Sequence, residues 1–529
     1  LYADMANSRT GGVAMRASAS GKIGRNITLG VVVGLCVAIP QALGGFIYAL
    51  SLAVIVVVFA CAAARVIAAI RPFSSVPVIF DNSYRPKVSV LVTSKDEPAS
   101  VVISCVESLS RLDYPNYEVI VINSNSTDVR NYVQIARYIQ SLPSNFRFVH
   151  LDKVHGFKAG ALNYLNHHCV SDDSVVEAVV DCDYIVDPDF LRRTVGYFKD
   201  ARVGLVQAPQ DYSRVGTRNA GLYYEYRSFF STVMHQAQRL GLVSFTGTMG
   251  LVRTSLVRRE SGWDEDCITE DAAAGARINR EGYLGVYVDE SLGKGYMPFD
   301  YANLIRQRRR WVYGNMQVLS QDLGKIVRDK KLRIAQKLAF LTQVTAWFQP
   351  ELVVSALSGI FLLLWRLSGG QVFGIAGVAM LNLLGVCFIT SIITYIVGLR
   401  REASITERLQ ALLVHYGLLS VMSTGWLLWL SGYRMGFAVT KKTPDTHAQA
   451  SVPAAQFVIV CLLILNIVLM PHSVSFMWGT ISAIATLVLS IVSVPYANQM
   501  FSEGPAVAVE DVIKGSSSAV EAQQRGDLR

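Results

Sequence analysis

From Thr28 to Ala64 the chain runs through about 37 residues without a charged side chain, a feature that limits its folding more than any other. About 20 apolar helical residues cross a bilayer core, so the stretch is long enough for two crossings. Gly44-Gly45 offers a turn between them. A cleaved signal peptide would have one shorter apolar core and a small-residue cleavage site. The expectation is therefore a hairpin of two membrane helices over 28–70, after an N-terminal segment, 1–27. Apolar runs return at about 346–365, 371–399, 410–432, 453–471 and 473–495. The roughly 275 residues between the two sets are of mixed polarity, enough for one large soluble domain.

Charge orients these spans. Lys22 and Arg25 precede the hairpin and Arg65 and Arg71 follow it, which places the N-terminus and the large domain on the cytoplasmic side. As a crossing, 410–432 would put Arg434, Lys441 and Lys442 outside. As a helix lying in the interface it keeps them inside, with Trp426 and Trp429 at headgroup level. The interface reading is favoured, giving six crossings and an integral protein of the cytoplasmic (inner) membrane. The formal charge of +9 is modest for 529 residues and is not gathered in one tail, so nucleic-acid binding is not expected. Eight cysteines lack the paired short spacings of zinc or disulfide frameworks.

Within the soluble part, KVSVLVTSKDEP (87–98), YEVIVINSNSTD (117–128) and SVVEAVVDCDYIVDP (174–188) each begin as an apolar strand and end in polar residues. A helical stretch near 99–111 separates the first two. Strand, helix, strand in repetition predicts a mostly parallel sheet covered by helices, with ligands beyond the carboxyl ends of its strands. Asp96, Glu97, Asn123, Ser124, Asp128, Asp181 and Asp183 fall at such ends. Asp181 and Asp183 are two apart, so on an extended strand both carboxylates point one way. They would suit Mg²⁺ or Mn²⁺ completed by phosphate and water, although an Asp-x-Asp is also an ordinary solvated turn. ITED (268–271) precedes a helical pattern. Thr269 can be its N-cap with Glu270 and Asp271 favourable in the first turn, or Asp271 can take a proton from an attacking hydroxyl.

Four motifs in order, GFKAGALN (156–163), DCD (181–183), TED (269–271) and QRRRW (307–311), resemble those of the processive membrane glycosyltransferases of family 2, the cellulose, chitin and hyaluronan synthases. FAVTKK (437–442) is similar to the gating loop of the cellulose synthases. The resemblance implies an α/β GT-A-type nucleotide-sugar domain (71–302) inserted between α-helical transmembrane segments. Amphipathic interface helices (303–340) carry QRRRW, and a channel region (341–499) holds an interface helix at 404–432 and a gating loop at 437–443. A disordered tail, 500–529, follows.

By that resemblance Asp271 is the general base, flanked by Thr269 and Glu270. Glu97, Asn123, Ser124, Asn125, Lys158, Asp181, Asp183 and Arg310 bind a UDP-sugar, with Asp183 and Asp181 holding the metal. Gln307, Trp311, Phe245, Gly247 and Thr248 line the acceptor and channel, although Phe245 suits the core equally. Phe437, Val439, Thr440 and Lys442 close over the diphosphate. Arg306, Arg308 and Arg309 would anchor their helix to anionic lipid or to acidic neighbours. Trp347, Trp426 and Trp429 suit either a glycan path or ordinary interfacial positions. Two family acids are replaced here by Asn123 and Ser124, and TSKDE departs from the usual loop. The implied product is a β-linked polysaccharide, a β-glucan from UDP-glucose, exported through the protein's own channel to partners in the cell envelope. The alternatives are a chitin- or hyaluronan-like synthase using UDP-N-acetylglucosamine, and a non-processive transferase acting on a lipid-linked acceptor.

Overall fold

A computed structural model describes residues 40–213, 219–259, 262–367, 374–436, 454–469 and 474–501. Its centre is a seven-stranded sheet in the order β3-β2-β1-β4-β8-β6-β9, where β1 is Lys87–Ser94, β2 Tyr117–Ser124, β3 Phe146–Leu151, β4 Ser174–Asp181, β6 Val203–Gln207, β8 Gly250–Arg253 and β9 Leu284–Tyr287. β3, β2, β1 and β4 are parallel, and β8 runs against both β4 and β6. β9 is parallel to β6, so the sheet is mostly parallel, as expected, with β8 reversed within it. A small sheet of β5 (Ile185–Val186), β10 (Gly293–Gly295) and β7 (Asp211–Tyr212) lies beside it.

Period-two alternation explains why both faces are covered. Val88, Val90 and Val92 of β1 pack with Val102, Val106 and Leu109 of the Ala99–Leu109 helix on one face. Leu91, Ile120 and Ile122 pack with Leu162 and Leu165 of the Phe157–His168 helix on the other. Strand order reverses between β1 and β4, and the crevice there opens at their carboxyl ends.

Apolar helices pack against this domain at the Ala220–Ser228 helix and the helical segments that follow it. Four among the described residues are long and apolar enough to cross a membrane: Gly45–Ile70, Gly374–Gly398, Ile405–Leu430 and Met477–Tyr496. The first belongs to one helix, Pro40–Ile70, which passes through Gly44-Gly45 without a break. The turn expected there is therefore not formed. Isolated glycines cost a helix only about 1 kcal/mol each, which neighbouring Leu, Ala and Ile outweigh. Helices over Glu351–Leu367 and Ala454–Leu469 are shorter. The 410–432 run forms two helices, Ile405–Gly417 and Leu419–Leu430, interrupted at Leu418 and begun by a Ser404/Glu407 capping box.

Several hydrogen bonds fasten these helices to the domain. Tyr301 Oη donates to the Gly417 carbonyl at 3.0 Å and Tyr313 Oη to that of Tyr433 at 2.7 Å. Arg401 donates to the carbonyls of Ile70 and Arg71 at 2.8 and 3.1 Å, so the basic ends of two of the apolar helices meet.

Candidate active site

At the strand-order reversal lies a cavity of about 260 Å³. The loop after β1 contributes Lys95 and Glu97, the loop after β2 Ser124 and Asn125, and the end of β4 Asp181 and Asp183. Thr269, Glu270 and Asp271 come from the start of the acid helix (Glu270–Arg280). Gln307, Arg310 and Trp311 come from the arginine helix (Tyr301–Arg328), and Trp347 from the segment that follows the Ile334–Val344 helix. Residues about 250 positions apart in sequence thus share one space.

The acids are held by specific contacts. Lys158 Nζ donates to Asp181 Oδ1 at 2.5 Å and to the Gly247 carbonyl at 2.7 Å. The amide of Asp181 donates to Thr248 Oγ1 at 3.0 Å. β4 ends at Asp181 and the chain turns through Asp183, so the two carboxylates are not on one extended strand as expected. Both nevertheless line the cavity.

Burial raises the Asp271 carboxyl above the usual carboxylate range, against the opposing pull of the Ala272 amide, Lys158 and Arg310. Burial, then the charge of Asp271, pushes Glu270 up to about 7. Burial alone would lower Lys158, but the charges of Asp181, Glu270 and Asp271 raise it, so it stays an ammonium. Thr269 occupies the N-cap position without a side-chain cap bond. Its hydroxyl instead lies 3.7 Å from Cys267 Sγ.

Strain gathers around this space. The positive-φ non-glycine residues among the described ones are Asp96, Asn125, Phe157 and Met249; three lie in loops and Phe157 opens the Phe157–His168 helix, all at the cavity or directly beside it. Asp96 Oδ1 accepts from the Thr127 amide at 2.7 Å, and Asn125 exchanges two hydrogen bonds with Val154. These residues latch adjacent strand-end loops together.

Not every expected residue reaches the cavity. Asn123 is buried, donating to Ser94 Oγ at 3.1 Å and facing His150 Nδ1 at 3.0 Å, so it supports the loops from within the sheet. Phe245 does line the cavity, but it is 2% exposed and packs on Trp263 with ring centroids 5.5 Å apart, so most of its ring serves the core. Asp128 caps the Val129–Gln140 helix through the Arg130 amide. Of the two readings for Arg308, the acidic neighbour holds and the lipid anchor does not: it is fully buried and paired with Glu225. Phe437, Val439, Thr440 and Lys442 lie outside the described residues.

Other lining residues carried no motif. Gln210 Nε2 donates to the Thr246 carbonyl, and Gln343 joins the Ile334–Val344 helix to the loop before β8 through Ser244 and Leu242. Tyr226 Oη donates to Gln307, and its ring meets Trp311 edge-on at 5.8 Å. Trp311 and Trp347 lie 4.8 Å apart, and Phe229 stacks on Trp347 at 5.5 Å. The cavity is therefore charged at the sheet end and aromatic at the helix end.

Among the described residues no three His, Cys, Asp or Glu side chains form a protein cage for a metal ion. The two cavity-wall carboxylates of Asp181 and Asp183 nevertheless fit a hard cation whose remaining ligands are phosphate oxygens and water, as Mg²⁺ and Mn²⁺ accept.

Residues 86–314 match a family model described as glycosyltransferase like family 2. Glucomannan 4-beta-mannosyltransferase 7 of Arabidopsis thaliana is 25% identical over 268 residues, 49% of this chain and 48% of that protein. Cellulose synthase 1 catalytic subunit of Komagataeibacter xylinus is 25% identical over 270 residues, 50% of this chain and 35% of that protein. Each match spans less than half of the relative's own length. A solved structure of the mannosyltransferase PcManGT from Pyrobaculum calidifontis, with GDP-Man and Mn2+, superposes with a TM-score of 0.48 at 18% identity, covering 73% of this chain and 99% of that one.

Proposed function

We propose, from the premise that residues 86–314 are a glycosyltransferase family 2 domain, that the protein polymerises a β-linked glycan from a nucleotide sugar at the membrane. The observation that carries this reading is the two-ended cavity. Asp181, Asp183 and Lys158 sit at the sheet end, Asp271 between, and Trp311 and Trp347 at the helix end. A nucleoside diphosphate suits the first end and the C–H face of a sugar ring suits the last. Similarity to cellulose synthase subunits and to glucomannan mannosyltransferases supports a processive β-glycan synthase.

An acceptor hydroxyl attacks the anomeric carbon of an α-linked donor, the bond to the diphosphate breaks, and the new linkage is β. Asp271 receives the hydroxyl proton. Lys158 and Arg310 face the charge that grows on the departing diphosphate. Asp183 with Asp181 would hold Mg²⁺ or Mn²⁺, which when bound offsets that same charge. Gly247, at φ +85, brings its backbone against Asp271 with no side chain intervening.

The finer reading is a β-glucan made from UDP-glucose and exported by the apolar helices, with the domain on the cytoplasmic side of the inner membrane. FAVTKK favours glucose, whereas the relatives include mannosyl as well as cellulose synthases. Membranes containing the protein are supplied in turn with UDP-glucose, UDP-N-acetylglucosamine and GDP-mannose plus Mg²⁺ or Mn²⁺, and the products are digested with linkage-specific hydrolases. A cellulase-sensitive polymer from UDP-glucose is expected. A mannanase-sensitive one from GDP-mannose would replace glucose by mannose, and single-sugar lipid products would end the processive reading.

A further inference from the structure

Arg308 sits between residues that face the cavity, yet its own side chain does not reach it. It is fully buried, as is its ion-pair partner Glu225 on the Ala220–Ser228 helix. The guanidinium carbon lies 4.1 Å from the ring centre of Tyr226, 4.5 Å from that of Trp311 and 4.2 Å from that of Trp347. Those rings come from three separate elements, and all three line the cavity.

A buried ion pair stabilises a fold little better than apolar groups of equal volume, so packing alone does not call for one here. A guanidinium differs from an apolar side chain in being planar, charged and able to lie against several ring faces while still donating to a carboxylate. Behind the pair, Glu225 and Trp347 also border a second cavity of about 50 Å³. Trp347 therefore borders both cavities, and Arg308 is the charged group against its ring. Glu225 limits how far that guanidinium can turn.

We propose that Arg308, held by Glu225, is a positioning residue that sets the orientation of Trp311 and Trp347. It thereby decides how well an acceptor glycan, rather than water, is presented to the donor sugar. The inference rests on the glycosyltransferase reading of the cavity and assigns Arg308 no contact with donor or acceptor.

The test uses the full chain in lipid nanodiscs, with whichever of UDP-glucose, UDP-N-acetylglucosamine and GDP-mannose the parent turns over. Arg308→Met is combined with Glu225→Gln so that neither charge is buried alone. Two rates are read on each protein: nucleoside diphosphate released with water as acceptor, and sugar transferred to a β-linked oligosaccharide. Hydrolysis is expected to stay within about twofold of the parent. Transfer is expected to fall about tenfold or more, chiefly as a higher KM for the oligosaccharide, because a displaced platform misaligns the acceptor. Arg308→Lys, which keeps the charge but not the plane, recovers part of the loss. A folded double variant with the parental ratio of transfer to hydrolysis overturns the proposal. Should the double variant fail to fold, Glu225→Asp is read by the same ratio: a lowered ratio supports the role of Arg308 and a parental one overturns it. An inactive parent would sink the glycosyltransferase reading itself, whereas an active parent with an unmoved ratio sinks only the role of Arg308.

Discussion

Asp271 is where the chemistry and the electrostatics of the site meet. Asp271→Asn keeps the size but cannot take a proton, and transfer is expected to fall by about 10²–10⁴, measured as nucleoside diphosphate release with acceptor present. Because burial raises its carboxyl above the ordinary range, the parent rate should fall on the acid side at a higher pH than an exposed aspartate would give. A kcat–pH profile in which the acid limb lies at or below pH 3.8 would contradict that environment. Gly247→Ala is the second test. A Cβ there would lie 2.7 Å from Asp271 Oδ2 on a backbone of φ +85, a left-handed conformation costing a side chain about 1–2 kcal/mol. The base would be displaced, and kcat should drop by about a hundredfold. DCD, TED and QRRRW made most of these residues legible, since each motif puts its chemistry in consecutive letters. Arg308 was not legible in its role, because nothing near position 308 reports a carboxylate 83 residues earlier. Asn123 misled for a related reason: a strand-end amide looks the same whether it faces a ligand or its neighbouring loop.

The arginine helix does more than carry its motif, for it also docks the loop that holds the acids. The Ile268 amide donates to Gln317 Oε1 at 3.0 Å, and Gln317 Nε2 donates to the Asp266 carbonyl at 2.9 Å. Gly314 allows the close approach, since a Cβ there would come within 2.5 Å of the Thr269 side chain. Gly314→Ala favours the isolated helix by about 1 kcal/mol yet should lower transfer, because the helix and the TED loop must separate. Far-UV circular dichroism unchanged beside at least about tenfold lower kcat is the expected pair of results. Strand β4 gives a contrasting prediction. Burial pushes its Glu177 up to about 8, against an ordinary 4.5, with Arg258 opposing. The folded state therefore holds the proton more tightly than the unfolded one. Its contribution is complete below about 4.5 and is lost as the pH rises to about 8. Glu177→Gln should flatten that part of a Tm-against-pH curve, and an unchanged slope would refute the assignment. Alternation alone revealed β1, β2 and β4 in the sequence. β3 and the antiparallel β8 were harder to see, since Phe146–Leu151 alternates with Arg and His and Gly250–Arg253 is only four residues long.

Across the whole molecule, hydrophobicity located the apolar helices better than it connected them. Gly44-Gly45 reads as a turn in a string of letters, but helix propensity on either side carries the chain straight through. Polar contacts at the helix ends tie the apolar part to the domain: Arg227 Nε donates to Glu402 Oε2 at 2.5 Å and Tyr224 Oη to the Glu402 carbonyl at 3.2 Å. The proposed orientation is checked with Asp152→Cys, whose parent side chain is almost wholly exposed. In sealed inside-out vesicles a membrane-impermeant maleimide should label it, and in right-side-out vesicles it should not; the reverse pattern inverts the topology. One contact has a practical bearing. Lys158 grips Asp181 with one hydrogen and the Gly247 carbonyl with another, a rivet between two walls of the pocket that the Asp181 amide reinforces through Thr248. On the proposed function, a redesign toward a different sugar would leave that rivet in place and recut the aromatic wall, which lies apart from the charged groups assigned to the diphosphate.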